Sequence, residues 1–345
     1  MARFPTHASF KHLNQRISIV GGGLTGLSLA IALRKHGIPT TLHEAADYPR
    51  HRVCGEFISG VSEQTLDTLG ISSCLEDAKK HTSMNWFSGD KLIRHGRLNK
   101  PAMAISRYLL DERLSEKAKA VGVDLRTKSR ISVSSGTPGF VKTTGRVPTR
   151  GKWIGLKAHV KGLGTTANLE MHSGPIGYLG ITPVEDDWFN VCGLFRIDRQ
   201  LEARHEALIP AYLEKNGNHL LAANVAQAEW RDSSFSSIAG IGLGRQPISP
   251  GILSLGDSHS MIPPFTGNGM SMAFQSAETA LPLLISYAKH GHDWETVCQS
   301  TERELQKRFR KRMTASLFLH PFLFQTATRH LLKYAPLNPV LSLIR

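Results

Sequence analysis

Ile17-Ser18-Ile19-Val20-Gly21-Gly22-Gly23-Leu24-Thr25-Gly26 decides the fold class. A short β-branched apolar run ends in three glycines, and apolar Leu24, Leu27, Ala30, Ile31 and Leu33 follow at helical spacing. Gly37 ends that helix after Arg34, Lys35 and His36, cations that suit the negative end of a helix dipole. Pro39 to His43 reads as a second strand. Strand, helix and strand within so few residues predict a parallel α/β sheet.

The glycines at 21, 23 and 26 have the spacing of a dinucleotide site. Gly21 permits the tight turn, Gly23 lets the backbone approach a pyrophosphate, and Gly26 with Ala30 lets the helix lie close to the sheet. Unsatisfied N–H groups at the helix start attract the phosphate charge. Glu44, at the end of the second strand, is placed to accept hydrogen bonds from an adenosine ribose, and its charge repels a 2′-phosphate. The motif predicts FAD or NAD and does not separate the two.

Further segments extend the pattern. Residues 62–69 and 106–121 read as helices closed by Gly70 and Gly122, and Trp86-Phe87 and Lys91-Leu92-Ile93 read as strands around a turn at Ser88-Gly89-Asp90. Near-alternation at residues 153–160, 168–171, 176–181 and 188–197 predicts an antiparallel sheet as a second layer. Residues 201–215 and 219–229 read as helices, as do 268–290 and much of the last 45 residues. The expected organisation is a discontinuous dinucleotide-binding domain (1–80, 101–150, 241–290), a substrate domain (81–100, 151–240) and a C-terminal helical region (291–345).

The chain has 345 residues, 41% hydrophobic and 20% charged, which excludes wholesale disorder and coiled coil. Four cysteines with no CxxC exclude a disulfide framework and a zinc ribbon. Residues 1–14 lack the apolar core of a secretory signal, and no run of about 18 apolar residues exists, so a cytoplasmic protein is expected. The net charge of +14 is concentrated in the tail, where residues 301–345 hold nine Lys or Arg against two Glu. No nucleic-acid motif accompanies it, so nucleic acid is not an expected partner. Lys307 to Arg312, followed by Leu317-Phe318-Leu319 and Phe322-Leu323-Phe324, form a basic and apolar tail suited either to an anionic membrane or to packing on the body, with Pro321 ending or kinking a helix.

A second glycine motif lies more than two hundred residues after the first. Gly256-Asp257, Pro263-Pro264 and Gly267-Asn268-Gly269 precede a helix. With the N-terminal motif, this resembles the flavoprotein monooxygenase and geranylgeranyl reductase superfamily, whose p-hydroxybenzoate hydroxylase-like fold joins a Rossmann-type FAD domain to an antiparallel substrate sheet. The resemblance implies that Asp257 contacts the flavin ribityl chain and that Pro264, Gly267, Asn268 and Gly269 line the flavin ring. A helix N-terminus there would stabilise negative charge on reduced flavin.

Three shorter resemblances add candidates. Arg50-His51-Arg52-Val53-Cys54-Gly55-Glu56 is similar to the P-x-x-K-x-C-G segment of geranylgeranyl reductase-like proteins. It implies an active-site role for Cys54, against the alternative of a small core thiol, and a phosphate or substrate charge for Arg50 and Arg52. Ile105-Ser106-Arg107-x-x-Leu110-Asp111-x-x-Leu114 resembles a helix start whose arginine, here Arg107, contacts FAD. Gly177-Tyr178-Leu179-Gly180-Ile181-Thr182-Pro183 resembles a strand facing substrate over the flavin, with Tyr178 and Pro183 in the pocket. Lys157 and His159, two apart on an alternating strand, share a face; a structural role is the ordinary reading of such a histidine.

The resemblance spans roughly residues 15–290 and implies FAD reduced by NAD(P)H, serving C=C reduction or hydroxylation of a hydrophobic isoprenoid-, lipid- or polyketide-like substrate. An aromatic or polyketide monooxygenase or a halogenase is the alternative within the fold. One departure stands out: residues 129–152 show no apolar strand returning the chain to the FAD domain, and Gly145-Arg146-Val147-Pro148 stands in its place. A missing strand would leave a flavin-binding protein without turnover.

Overall fold

The computed structural model describes residues 14–132 and 136–325. β1 (Ile17–Val20), α1 (Leu24–Lys35) and β2 (Thr40–His43) open the chain. β3 (Phe57–Ile58), α2 (Glu63–Leu69), the ribbon β4 (Lys79–Ser88) and β5 (Lys91–Ala104), α3 (Arg107–Ala120), β6 (Asp124–Arg126) and β7 (Phe140–Lys142) follow. The middle holds β8 (Trp153–Lys161), β9 (Leu169–Ser173), β10 (Gly177–Pro183), β11 (Phe189–Arg196), α4 (Leu208–Lys215), α5 (His219–Gln227), β12 (Glu229–Trp230) and β13 (Ser236–Ile241). β14 (Gly244–Arg245), β15 (Leu253–Ser254), β16 (Ser260–Met261), α6 (Gly269–Ala288) and α7 (Trp294–Leu319) complete it.

Two main sheets result. The first is parallel throughout, in the order β15-β7-β1-β2-β6. Helix α1 is buried from Leu24 to Leu33, because α3 and α6 pack against a helix that is apolar on nearly every side. Ser106 caps α3 by accepting from the Leu109 N–H at 3.0 Å, and Lys117 and Lys119 sit in its last turn. The second sheet runs β12-β8-β11-β10-β9-β4-β5-β3, with β13 also on β8. Leu156, Ala158, Val191 and Ile181 from its strands pack on Ile209, Leu213 and Val225 of α4 and α5.

The structure corrects four expectations. The return strand is present: β7 pairs parallel with both β1 and β15, with Val141 opposite Ile19 and Leu253. Its three residues suffice because a central strand is held by ladders on both sides, and Thr143-Thr144-Gly145 follows it. The premise of a flavin binder lacking that strand therefore falls. The second sheet is mixed, since β4 and β9 are parallel while its other pairings are antiparallel. The β4–β5 ribbon extends well beyond the short pieces expected, through polar residues that its exposed positions tolerate. The helix expected from residue 201 begins at Leu208, after a 3₁₀ turn at His205–Ala207. At the other end, α7 stops at Leu319 and Pro321 sits in a 3₁₀ turn, His320–Phe324. The expectations for residues 1–13 and 326–345 lie outside the described residues.

Candidate active site

One cavity of about 1040 Å³ runs between the parallel sheet and the second sheet. Its volume lies at the upper end of the range for ligand sites, about 300–1,000 Å³. Gly21, Gly23, Leu24 and Thr25 from the first glycine turn line it, and so do Asp257, Pro264, Gly267 and Gly269 from the second. Gly21 has φ +108, and a Cβ there would overlap the Thr143 carbonyl. A Cβ on Gly26 would overlap the Gly21 carbonyl, so Gly26 acts by letting α1 close on β1 and is not on the cavity wall. A Cβ on Gly23 or Gly269 would meet no atom within 4 Å, so both present bare backbone to open space. Neither α1 nor α6 has a side-chain cap, which leaves N–H groups for a ligand.

Charge crowds this end of the cavity. Glu44 is buried; its carboxylate accepts from the N–H groups of Gly22 (2.8 Å) and Ala46 (3.0 Å) and from Arg50 (2.8 Å). Arg52 lies 3.6 Å from Glu44 and donates to Asp111 at 3.0 Å. Arg107 grips Asp111 through two bonds of 2.8 Å. The sequence candidates Glu44, Arg52 and Arg107 thus belong to one network, with Asp111 as its buried anion, and all three line the cavity. Much of Glu44's accepting capacity is already taken by the protein, a function that the ribose reading had not assigned to it.

Asp257 lines the same space. Its exposed surface opens onto the cavity, and enclosure by the walls pushes its carboxyl up to about 6, while Arg107 and Arg146 pull it down. Arg146, which the sequence reading passed over, is anchored on the carbonyls of Gly240 (3.0 Å) and Ala239 (3.1 Å). Asn268 is fully buried as the residue before α6 and does not line the cavity.

The second sheet supplies the far wall. Tyr178 lines it, and its hydroxyl accepts from the Phe265 N–H at 3.3 Å, tying β10 to the turn that carries Pro264. Thr182 reaches the cavity but Pro183 does not; the Pro183 carbonyl instead accepts from His81 Nε2 at 2.9 Å. Met84, Trp86, Leu98, Met171, Leu194 and Phe265 make this end apolar, and Leu319, Phe322 and Leu323 close it from the C-terminal segment. Cys54 lies on the wall, its Sγ accepting from the Glu56 N–H at 3.4 Å. Burial raises its thiol above the ordinary value, with Arg107 pulling against it, so it rests as a thiol. Lys157 and His159 do share a face, and both side chains are fully buried on Glu56. Glu56 escaped sequence reasoning; the signal was a charged residue directly after Cys54-Gly55, in a segment without surface periodicity.

Comparison with known proteins agrees with this geometry. A family model described as pyridine nucleotide-disulphide oxidoreductase matches residues 5–84. Dialkyldecalin synthase of Streptomyces rugosporus is 27% identical over 181 residues, covering 50% of this chain and 36% of that protein. A probable FAD-dependent monooxygenase of Pseudomonas aeruginosa, PqsL, superposes with a TM-score of 0.72 at 15% identity, over 93% of this chain and 100% of that one. A geranylgeranyl bacteriochlorophyll reductase-like protein of Thermoplasma acidophilum gives a TM-score of 0.71 at 17% identity, over 92% and 90% of the two chains. The matches to curated relatives span between 14% and 36% of those proteins' own lengths.

Proposed function

We propose that this chain, which has the fold of the flavoprotein monooxygenase and geranylgeranyl reductase superfamily, is an FAD-dependent oxidoreductase acting on a hydrophobic substrate. The observation that carries the reading is the single cavity onto which two glycine turns open, although more than two hundred residues separate them. The residues fit the coenzyme. Gly21, Gly23 and the start of α1 would hold the pyrophosphate. Glu44 would meet the adenosine ribose and Asp257 the ribityl hydroxyls. Pro264, Gly267, Gly269 and the start of α6 would face the flavin ring, and Arg52 and Arg107 would add positive charge. Asn268 shapes that turn from behind, and Gly26 keeps the first glycine turn closed on β1. Bound FAD would supply two-electron redox chemistry, with NAD(P)H as its source of hydride.

The chain's own residues set the rest. Side chains at the far end carry no formal charge, so that end selects an uncharged hydrophobic group and excludes water from it. Cys54 and Tyr178 both line the cavity. The purified protein should be yellow or become so with FAD, and NADPH or NADH should bleach it without oxygen. A colourless chain that cannot be reconstituted overturns the reading. Oxygen uptake coupled to substrate distinguishes hydroxylation or halogenation from C=C reduction.

A specific observation supports a membrane-facing tail as well. Phe318 is 67% and Phe322 37% exposed beside Leu317, on the segment that closes the apolar end, and Arg310 and Lys311 are exposed one to two turns earlier. No helix among the described residues is long and apolar enough to cross a membrane, so contact would be peripheral. Much of the tail instead packs on the body: Leu305, Phe309, Leu323 and Phe324 are buried. Phe318→Ser/Phe322→Ser should lower sedimentation with phosphatidylglycerol vesicles; equal sedimentation ends this idea.

A further inference from the structure

Behind the Cys54 wall lies a charged group that the proposed chemistry leaves unused. The side chains of Glu56, Lys157 and His159 have no solvent exposure. Glu56 Oε2 is 2.6 Å from His159 Nε2, and Oε1 is 3.4 Å from Lys157 Nζ and accepts from the Arg107 backbone N–H at 2.9 Å. Glu56 also has φ +53, the left-handed region that a non-glycine residue occupies only when its surroundings hold it there. Three elements therefore converge on one carboxylate: β8, the start of α3 and the loop carrying Cys54.

Lys157 makes one more contact, and it has a chemical consequence. Its Nζ is 3.0 Å from His51 Nδ1. Burial lowers the Lys157 pKa and the Glu56 carboxylate at 3.4 Å works against that; held as an ammonium by Glu56, Lys157 can only donate, which makes Nδ1 the acceptor and leaves the ring proton on Nε2. The ring is fixed by stacking on Tyr108, 4.6 Å between centroids, and by the edge of His159 at 5.1 Å. His51 lines the cavity. Its Nε2 is not a buried atom and takes no protein hydrogen bond among the described residues.

We propose that His51 presents a fixed, neutral Nε2–H donor to an acceptor oxygen, a carbonyl or enolate, on the molecule filling the cavity, and that Lys157, balanced by Glu56, imposes this tautomer. The groups facing the ring are Lys157 and His159 from β8, Glu56 from the loop, Tyr108 from α3 and Arg231 beyond β12. Burial, then the charges of Lys157 and His159, hold the imidazole down to about 3, against the pull of Glu56. His51 is thus a donor without being a cation. The identity of the acceptor rests on the flavin reading; the tautomer does not.

The test begins on the flavin-free protein. Imidazole ¹⁵N spectra should show His51 protonated on Nε2 alone and unchanged from pH 8 to 5. In Lys157→Met, or in Glu56→Gln/Lys157→Met where the single variant folds poorly, the ring's titration should move upward from its wild-type position while burial still holds it below the ordinary histidine range, and both tautomers should be populated. A wild-type ring that titrates near 6.5, or carries its proton on Nδ1, overturns the proposal. The donor is then removed with His51→Phe, which keeps the stack, and restored with His51→Gln, whose amide N–H reaches the Nε2 position. Loss of one neutral hydrogen bond corresponds to roughly three- to tenfold. A rise of that size in the FAD dissociation constant, rescued by Gln, places the acceptor on the coenzyme. The same rise confined to the KM for 2-methyl-1,4-naphthoquinone reduction places it on the substrate. If the chain binds no FAD, the flavin reading fails, and direct binding of the naphthoquinone decides the donor alone. No change in any arm overturns the donor.

Discussion

The two ends of the cavity are built by different means. The glycine-turn end is made of backbone and of charges tied to one another: bare N–H groups at two helix starts, and the chain Glu44, Arg52, Asp111 and Arg107. The second-sheet end is made of apolar side chains from β4, β5, β9, β10 and β11, closed by the C-terminal turn. On the proposed function, the first end would hold the coenzyme through close backbone approaches that few substitutions leave intact. The second would select its substrate by an apolar surface on which apolar residues of similar size can replace one another. Substitutions at the two ends should therefore fail in different ways.

Gly26→Val sets the upper limit of the contrast. Its branched side chain would enter the Gly21 carbonyl, so α1 must move off β1. Overpacking of this kind costs about 1–3 kcal/mol or more. The expected outcome is complete loss of flavin, read from the visible spectrum, with a lowered Tm. Normal flavin content would show that the turn has no need of its close approach.

Glu44 and Asp257 should separate next. Glu44→Ala orphans the Gly22 N–H and leaves Arg50 without its anion, so Tm should fall as well as FAD affinity, with about 2–4 kcal/mol lost in stability. Asp257→Ala removes a carboxylate that faces the cavity, so Tm of the flavin-free protein at pH 7 should not fall while FAD affinity drops roughly 10- to 100-fold, as expected for hydrogen bonds to a charged group. Equal effects of the two on Tm would contradict the division between framework and ligand contact.

Leu169→Trp tests the opposite end. Leu169 lines the cavity from β9, and indole there would occupy the space proposed for substrate. FAD affinity should stay within about twofold, while KM for an apolar substrate rises roughly tenfold, the scale of about 1–3 kcal/mol for a pocket misfit. Loss of flavin would mean that the ends are not independent.

The same division explains what the sequence disclosed. The strand, glycine turn and helix at 17–35 were legible because each glycine answers a steric demand made by nearby backbone. Asp257 and Gly267 were legible only through a resemblance, since a turn after a strand has many uses. β7 was hidden because Phe140-Val141-Lys142 is too short to show periodicity and takes its strand character from two neighbours distant in sequence. Glu56 and His51 were hidden for a related reason: their partners, Lys157 and His159, lie about a hundred residues away, and charge in a loop looks solvated until a sheet covers it. Pro183 failed as a site residue because alternation along β10 aims Thr182 at the cavity.

The smallest expected effect is also the most selective. The Asp257 carboxyl is raised from the ordinary aspartate range to about 6 by enclosure. A raised acid binds its proton more tightly in the folded state, so its favourable contribution is full below about pH 4 and is lost as pH rises through about 6. Flavin-free Asp257→Asn should therefore be more stable than wild type at pH 7, and the gain should vanish near pH 4. Ligand binding runs the other way, because ribityl hydroxyls donate and an ionised carboxylate accepts them better than a protonated one. FAD affinity of the wild type should rise severalfold between pH 5 and 7, and that rise should be absent in Asp257→Asn. One residue would then weaken the empty protein over the same pH interval in which it strengthens the loaded one, a signature that a merely structural aspartate would not produce.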